Sequence, residues 1–515
     1  MRTSSAPHGR KAAVADASSR VVRSRIPARL DRLPWTRFHT RLVLALGVAW
    51  VIDGLEITVA SSVGGVLGDA DTLRMSTTAV GMIATVYLVG QVVGALVFGR
   101  LSDRLGRRRL FVVTLGVYLV GSGLTALTLG HGTGWVVFLF ATRLVAGMGI
   151  GGEYAAINSA IDEMIPARYR GRVDIGVNGT YWAGAILGTL GTLLLLHVFP
   201  PSWGWRLGFL LGPVLAVAII YVRRNLPESP RWLVMHGRAA EAERAMAAIE
   251  ARAAATGRSL PPVDPHDAIE VEPVKVGYAA VLRVLFVQHW RRSVLGATLM
   301  ITQSFLYNAI FFTYVLVLTK FYGVDGADAP LYLIGFAAGN LLGPLTIGRL
   351  FDTIGRKPMI AGTYLLSGVL LAVTAYLFDH GLLTAVTQTI AWCVIFFFAS
   401  AGASAAYLTV SEIFPLEVRG QAIAVFFAVA QCFGAVGPVL YGDLIGTGSD
   451  PARLFVGYLV GGGVMVIGGV AELVFGIRAE RVPLESVARP LSTVPGIATP
   501  GAAGATTTFS PRHQA

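Results

Sequence analysis

The sequence predicts an all-α polytopic membrane protein of about twelve transmembrane helices in two six-helix halves. Three observations predict it. The 515 residues are 54% hydrophobic and only 14% charged, against about 25% charged residues in soluble domains. The apolar residues fall in runs such as 79–99, 108–130, 205–222, 358–378 and 453–477, each long enough to cross a hydrocarbon core of about 30 Å as a helix. Two separate motifs also return 249 residues later in the chain.

The spans read at 41–66, 77–99, 108–130, 134–161, 174–198 and 205–223 in the first half, and at 293–320, 329–350, 358–378, 384–410, 421–445 and 453–477 in the second. The net charge of +12 is compatible with nucleic acid until its placement is considered. Arg10, Lys11, Arg20, Arg23, Arg25, Arg29, Arg32 and Arg37 precede the first span. Arg100, Arg104, Arg107, Arg108 and Arg109 follow the second, Arg168, Arg170 and Arg172 the fourth, and Arg223 and Arg224 the sixth. Alternate loops are poor in Lys and Arg. That asymmetry is the positive-inside pattern, so both termini and the 224–292 loop are expected in the cytoplasm of a cell-membrane protein, with no nucleic-acid partner. Residues 1–40 and 478–515 read as disordered tails. The 224–292 loop carries an amphipathic helix at 238–253 and the breakers Pro261, Pro262 and Pro265. Cys393 and Cys432 fall inside spans and read as small buried hydrophobes, without disulfide or metal. Trp203 and Trp205 read as interfacial belt residues.

The repeat is carried by Gly99-Arg100-Leu101-Ser102-Asp103-Arg104-Leu105-Gly106-Arg107, which returns as Gly348-Arg349-Leu350-Phe351-Asp352-Thr353-Ile354-Gly355-Arg356. The second motif pairs Glu163 and Pro166 with Arg170-Gly171, and returns as Glu412 and Pro415 with Arg419-Gly420. One shared spacing implies a duplicated six-span unit, and duplicated folds place the solute site between the halves near the midplane. Gly106 and Gly355 allow the tight turn between two spans. Asp103 can pair with an Arg, or receive a helix N-terminus of the other half, in one conformation and not another; a purely topogenic role for the Arg cluster is the alternative. Asp103→Asn is expected to alter the balance of conformations without preventing insertion.

These motifs resemble the signature loop of the major facilitator superfamily. Pro227-Glu228-Ser229-Pro230-Arg231-Trp232-Leu233 and Arg143 with Gly147 and Gly149 are similar to the sugar-porter group and its neighbours. The resemblance runs over roughly residues 40–478 and implies the major facilitator fold and transport of a small molecule. Substrate identity is only loosely implied, because this scaffold hosts many solutes.

Charges at midplane depth are costly and usually functional. Asp53 and Glu56 stand three residues apart on one face of the first span, and Arg143 reaches similar depth in the fourth. They are expected to form the proton-coupling group, Asp53 opposite Arg143, as proton-coupled sugar porters carry an Asp and an Arg at matching positions; a permanent structural ion pair is the alternative. Asp53-Gly-x-Glu56 also resembles the Asp-Gly-x-Asp of metabolite–proton symporters. Glu153 can face Arg143 or the cavity. Glu153, Glu163, Arg170, Arg349, Asp352, Arg356, Glu412 and Arg419 join Arg100, Asp103 and Arg107 as expected gate residues, with Asp174 similar. The resemblance implies solute contacts at Gln303 and Asn308, where Thr302 replaces a Gln, at Asn178, and at Tyr407, which stands in place of a Trp. Trp392 is a further possible cavity wall, as are Tyr181, Trp182, Tyr307 and Tyr314.

The expected function is proton-coupled symport of a sugar, polyol or organic acid by a functional monomer in a lipid bilayer. No cofactor is expected; the proton gradient supplies the energy. An uncoupled facilitator and a solute sensor are the alternatives. No Ser/His pair, His-Glu-x-x-His or Walker motif appears, so no enzyme is expected.

Overall fold

Backbone groups in hydrocarbon must satisfy one another, and a helix does this within one segment. The computed structural model describes residues 22–63, 66–68, 71–75, 77–223, 228–255, 260–264, 267–271, 277–324, 329–446, 448, 450–488 and 491. The first half contains α1 (Arg37–Ser62), α2 (Thr77–Leu105), α3 (Arg107–Ala126), α4 (Thr133–Met164), α5 (Ala167–Val198) and α6 (Pro201–Arg223). The second contains α7 (Trp290–Tyr322), α8 (Ala329–Ile347, continued by Leu350–Thr353), α9 (Arg356–Asp379), α10 (Ala385–Ile413), α11 (Arg419–Ile445) and α12 (Pro451–Phe475). Among the described residues eleven helices are long and apolar enough to cross a membrane, and α6, helical over 23 residues, stands in the place of the twelfth.

Local chemistry sets the ends. Gly106 (φ +88°) and Gly355 (φ +121°) turn the chain between α2 and α3 and between α8 and α9, a region closed to most side chains. Asp450 caps α12 through Ala452 N at 3.1 Å, with Pro451 at the first position. The α5 helix begins at Ala167, earlier than the span read from 174, because Pro166 is its N-cap and Asp31 accepts Ala167 N at 3.1 Å.

The duplication is visible in packing. A Cβ at Gly90 or Gly94 of α2 would collide with the backbone of Leu144 or Met148 of α4. At Gly339 and Gly343 of α8 it would meet Cys393 and Phe397 of α10, each residue 249 positions on. Close backbone approach through small residues is the usual device for helices that lack a hydrophobic driving force between them. The halves meet where α2 packs on α11 and α5 on α8.

The end carrying the Arg-rich turns is capped by chain that was expected to be disordered. Val22–Ser24 pairs antiparallel with Ile269–Val271, and a short helix, Ile26–Asp31, follows. Arg29 and Arg32 reach Glu250 at 2.6 Å each, on the helix Ala239–Ala254, whose buried Ala242, Met246, Ile249 and Ala253 form the expected amphipathic stripe. Burial would push the Glu250 carboxyl up, but hydrogen bonds from Arg29 and Arg32 outweigh it and hold it below its usual range. Ser229 caps the helix Pro230–Met235 through Trp232 N at 3.1 Å. Arg231 then bonds the carbonyls of Asp162 and Glu163 at the end of α4 (3.2 and 3.1 Å), Asp31 (3.0 Å) and Glu485 (3.1 Å), a cation where the helix dipole favours one. Residues 22–40 and 484–487 are therefore ordered, because ion pairs to the central loop offset the entropy that their composition favours.

Three smaller expectations are corrected. Trp205 is buried, with Arg206 over its ring at 4.7 Å, and only Trp203 is exposed. Cys432 is exposed and Cys393 half-buried, both as free thiols.

Candidate functional site

A cavity of about 120 Å³ lies between the halves. Two interrupted helices shape it. In α5 the helix breaks at Thr180, whose Oγ1 donates to Val177 O (2.6 Å) and Gly47 O (2.8 Å), a back-bonding pattern that bends helices and turns Tyr181 and Trp182 to the cavity. In α11 the break falls at Ala435, and a Cβ at Gly434 would collide with Ser304 Oγ and Asn308 Nδ2.

Seven of the eight expected solute contacts line this cavity: Asn178, Tyr181, Trp182, Gln303, Tyr307, Asn308 and Tyr407. Trp392 does not, and the correction has a physical reason. It stands 249 residues after Arg143, the equivalent place in the repeat, and that place points into the interior of a half. Trp392 is fully buried between Tyr314 (4.8 Å) and Tyr458 (6.4 Å). Tyr314 likewise lies off the cavity, bonded to Tyr332 O and Thr389 (3.1 Å each). Trp392→Ala is therefore expected to cost about 3–5 kcal/mol of stability with unchanged solute affinity, while Trp182→Ala weakens affinity. Thermal unfolding and solute titration on both variants check this.

The acidic group is arranged differently from expectation. Arg143 pairs with Glu56, not Asp53. Both partners are fully buried. Tyr118 and Ser122 hydroxyls also donate to Glu56 (2.8 and 2.7 Å), and the Tyr87 and Phe209 rings flank the guanidinium at 4.5 and 4.9 Å. Along α1, residues three apart share a face but differ in depth, and Glu56 is the one level with Arg143. Asp53 instead lies on the cavity wall, accepting from Tyr87 OH (3.0 Å), Gln91 Nε2 (3.1 Å) and Tyr154 OH. Glu153 is buried beside it on a small adjoining pocket.

Trp50, Gln91, Tyr154, Ser304 and Gln431 also line the cavity and were missed. Tyr154 stacks on Phe427 of the other half at 4.3 Å and meets Trp50 edge-on at 4.5 Å. Trp182 meets Tyr307 and Phe311 of the other half at 5.8 and 5.5 Å. Gln91 and Gln431 had a signal available: each is a lone amide in an uncharged apolar run, and unsatisfied polar groups there are costly.

At the Arg-rich end the expected gate residues form an ion-pair network that crosses the halves at Arg170. Arg356 holds Asp352 (2.6 Å) and Glu412 (3.1 Å). Arg170 of the first half reaches Glu412 at 3.4 Å, and the Arg172 backbone N–H donates to Asp352 at 2.8 Å. A Cβ at Gly171 would collide with Asp352 and Arg356. Arg419 is buried and donates to Phe414 O at 3.2 Å, and Glu163 is buried at the end of α4. Asp174 is buried and accepts from Asn178, a cavity residue, at 3.1 Å. Arg349 is exposed and Arg100 half-buried. The side chains of Asp103 and Arg107 lie outside the described residues.

Two related halves that each contribute six long helices among the described residues, with a polar and aromatic cavity between them and an ion-pair network joining them at one end, make up a transporter that carries a small molecule through a membrane. The profile of the sugar (and other) transporter family matches residues 48–490. The chain belongs to that family, and is a multi-pass membrane protein of the major facilitator kind rather than an enzyme. It is similar to the niacin transporter NiaP of Acinetobacter baylyi (27% identity; 80% of this chain, 89% of that one). It is similar also to the putative metabolite transport protein YdjK of Escherichia coli (28%; 89% and 96%) and to the glucose transporter GlcP of Staphylococcus epidermidis (27%; 68% and 76%). Its fold matches the proton:xylose symporter XylE bound to 6-bromo-6-deoxy-D-glucose, with a TM-score of 0.71 at 20% identity, over 87% of this chain and 98% of the other.

Proposed function

We propose that the protein is a proton-coupled symporter of a small, uncharged, ring-bearing solute, with Asp53 as the proton carrier. One observation carries the reading: Asp53 is the single charged side chain among the described residues lining the cavity, and it is 2% exposed. A carboxylate there can exchange a proton with the cavity while touching the space where solute sits. No Lys or Arg lines that space among the described residues, since Arg143 is held by Glu56, so an organic acid would enter without a counter-charge. Amides at Gln91, Asn178, Gln303, Asn308 and Gln431, with aromatic faces at Trp50, Tyr154, Trp182 and Tyr407, suit a sugar, or a heteroaromatic ring bearing an uncharged polar group. Relatives named for glucose and xylose fit that class; niacin, for which another relative is named, has a ring of the same size but carries a carboxylate. One observation favours an uncoupled facilitator instead: the arginine expected to answer Asp53 is already occupied.

A thermal-shift series on the purified protein tests the substrate class, because a bound ligand stabilises by mass action. Stabilisation by sugars, cyclic polyols or nicotinamide is expected. Stabilisation only by carboxylic acids would overturn the class.

The Arg distribution further supports a cytoplasmic position for the Arg-rich end and both termini in the cell membrane. A cysteine at position 238 is expected to resist membrane-impermeant maleimide in intact cells and to react after permeabilisation. Labelling before permeabilisation would invert the orientation.

A further inference from the structure

A chain of hydrogen bonds runs from the second half to Asp53, every donor pointing the same way. Asn308 Nδ2 donates to Ser304 Oγ (3.3 Å) and Ser304 Oγ to Gln431 Oε1 (3.0 Å). Gln431 Nε2 donates to Gln91 Oε1 (2.9 Å), and Gln91 Nε2 to Asp53 Oδ1 (3.1 Å). The Gln91–Gln431 link joins α2 of one half to α11 of the other inside the cavity. Each amide uses its oxygen toward the second half and its nitrogen toward Asp53, so the order of donors is set by the carboxylate, which can only accept.

We propose that Gln91 is the positioning residue that passes the protonation state of Asp53 to the opposite half, through Gln431. This rests on Asp53 being the proton carrier. With Asp53 charged, the last link is a charge-assisted bond, roughly twice as strong as a neutral one, and it polarises the links behind it. A proton on Oδ1 leaves a hydroxyl there, a much poorer acceptor. A proton on Oδ2 leaves Gln91 a neutral carbonyl. In both cases the Gln91–Gln431 tie across the cavity weakens, and separation of the halves becomes easier when the proton is bound. An ion-pair switch at Asp53 is not available, because its cationic neighbour is paired with Glu56.

The other titratable and charged groups around Asp53 are Glu56 on α1, Tyr87 on α2, Arg143, Glu153 and Tyr154 on α4, Tyr181 on α5 and Tyr407 on α10. Of these, Tyr87 and Tyr154 bond the carboxylate directly and belong to the first half; Tyr154 meets the second half only through ring stacking on Phe427 and Tyr407, which depends far less on the charge of Asp53 than a hydrogen bond does. Tyr407, from the second half, touches Trp50 and Tyr154 through its ring.

The test needs no solute. Nitroxide labels on Leu129→Cys and Leu382→Cys, exposed positions of the two halves, in a Cys393→Ala/Cys432→Ser background report the separation of the halves between pH 8 and pH 5. The unmodified relay is expected to show a pH-linked change in the ratio of near and far populations. Asp53→Asn is expected to abolish it. Gln91→Leu is expected to shrink it by about five-fold or more, a typical coupling between sites. Gln431→Leu, on the other side of the link, is expected to do the same, and the double variant no more than either. A wild-type response in Gln91→Leu or in Gln431→Leu, with Asp53→Asn unresponsive, overturns the relay and leaves the carrier in place. A wild-type response in Asp53→Asn, or no response in the parent, removes the carrier and the relay together.

Discussion

Asp53→Asn is expected to abolish uphill uptake in proteoliposomes while solute exchange at equal pH on both sides survives. Asn matches the protonated acid in shape: its Oδ1 keeps the acceptor for Tyr87 and Gln91, and its Nδ2 donates to the Tyr154 hydroxyl, which turns from donor to acceptor, so the cavity wall is preserved. It cannot release a proton, so the cycle loses its driving step. For one proton per solute, a one-unit pH gradient supports about ten-fold accumulation, since about 1.4 kcal/mol corresponds to a factor of ten. The variant should settle at the equilibrium ratio. Accumulation at the wild-type level would move the carrier to Glu153, the other carboxylate beside this part of the cavity, or to Glu56.

Breaking the Arg143–Glu56 pair is expected to be the largest single loss of stability in the first half. Both side chains are fully buried. Loss of the Arg143 guanidinium leaves a carboxylate in the helix bundle with only the Tyr118 and Ser122 hydroxyls to hold it. Removing one partner of a buried pair typically costs about 3–5 kcal/mol, whereas replacing both can be nearly neutral. Arg143→Gln and Glu56→Gln should therefore each lower the thermal unfolding temperature in detergent sharply, and the two together should recover most of the loss. Such non-additivity is the signature of direct coupling. Single variants that unfold close to the parent temperature would mean the pair is hydrated, and would return Arg143 to consideration as a partner of Asp53. The same experiment separates a structural role for Glu56 from a carrier role, because a carrier substitution would change coupling with little change in stability.

Only part of this arrangement was legible from the residues. The spans were readable because hydrocarbon accepts only backbone that satisfies itself, and uncharged runs of the right length are rare elsewhere. The halves were readable because Asp103 and Asp352, and Glu163 and Glu412, share one spacing. The cavity side chains were readable where a motif marked them, as at Gln303 and Asn308. The same spacing makes Trp392 the counterpart of Arg143, but only the structure, with Arg143 on Glu56, shows that this place points into the interior of a half.

Tertiary structure alone decided which charge meets which. Asp53 and Glu56 are equivalent by helical periodicity, and their fates separate only because of how α1 and α4 are rotated and set in depth. Small residues control that placement: a Cβ at Gly54 would collide with Tyr181 of α5, and one at Gly147 with Tyr87 of α2, so the backbones approach in one register. That register brings Arg143 to Glu56 and leaves Asp53 to Tyr87, Gln91 and Tyr154. Gln91 and Gln431 became neighbours, 340 residues apart, only when α2 packed on α11. Local pattern sets which segments are helices and which residues share a face. Depth and rotation are set by contacts between helices distant in the chain, and those contacts choose the partner of each buried polar group.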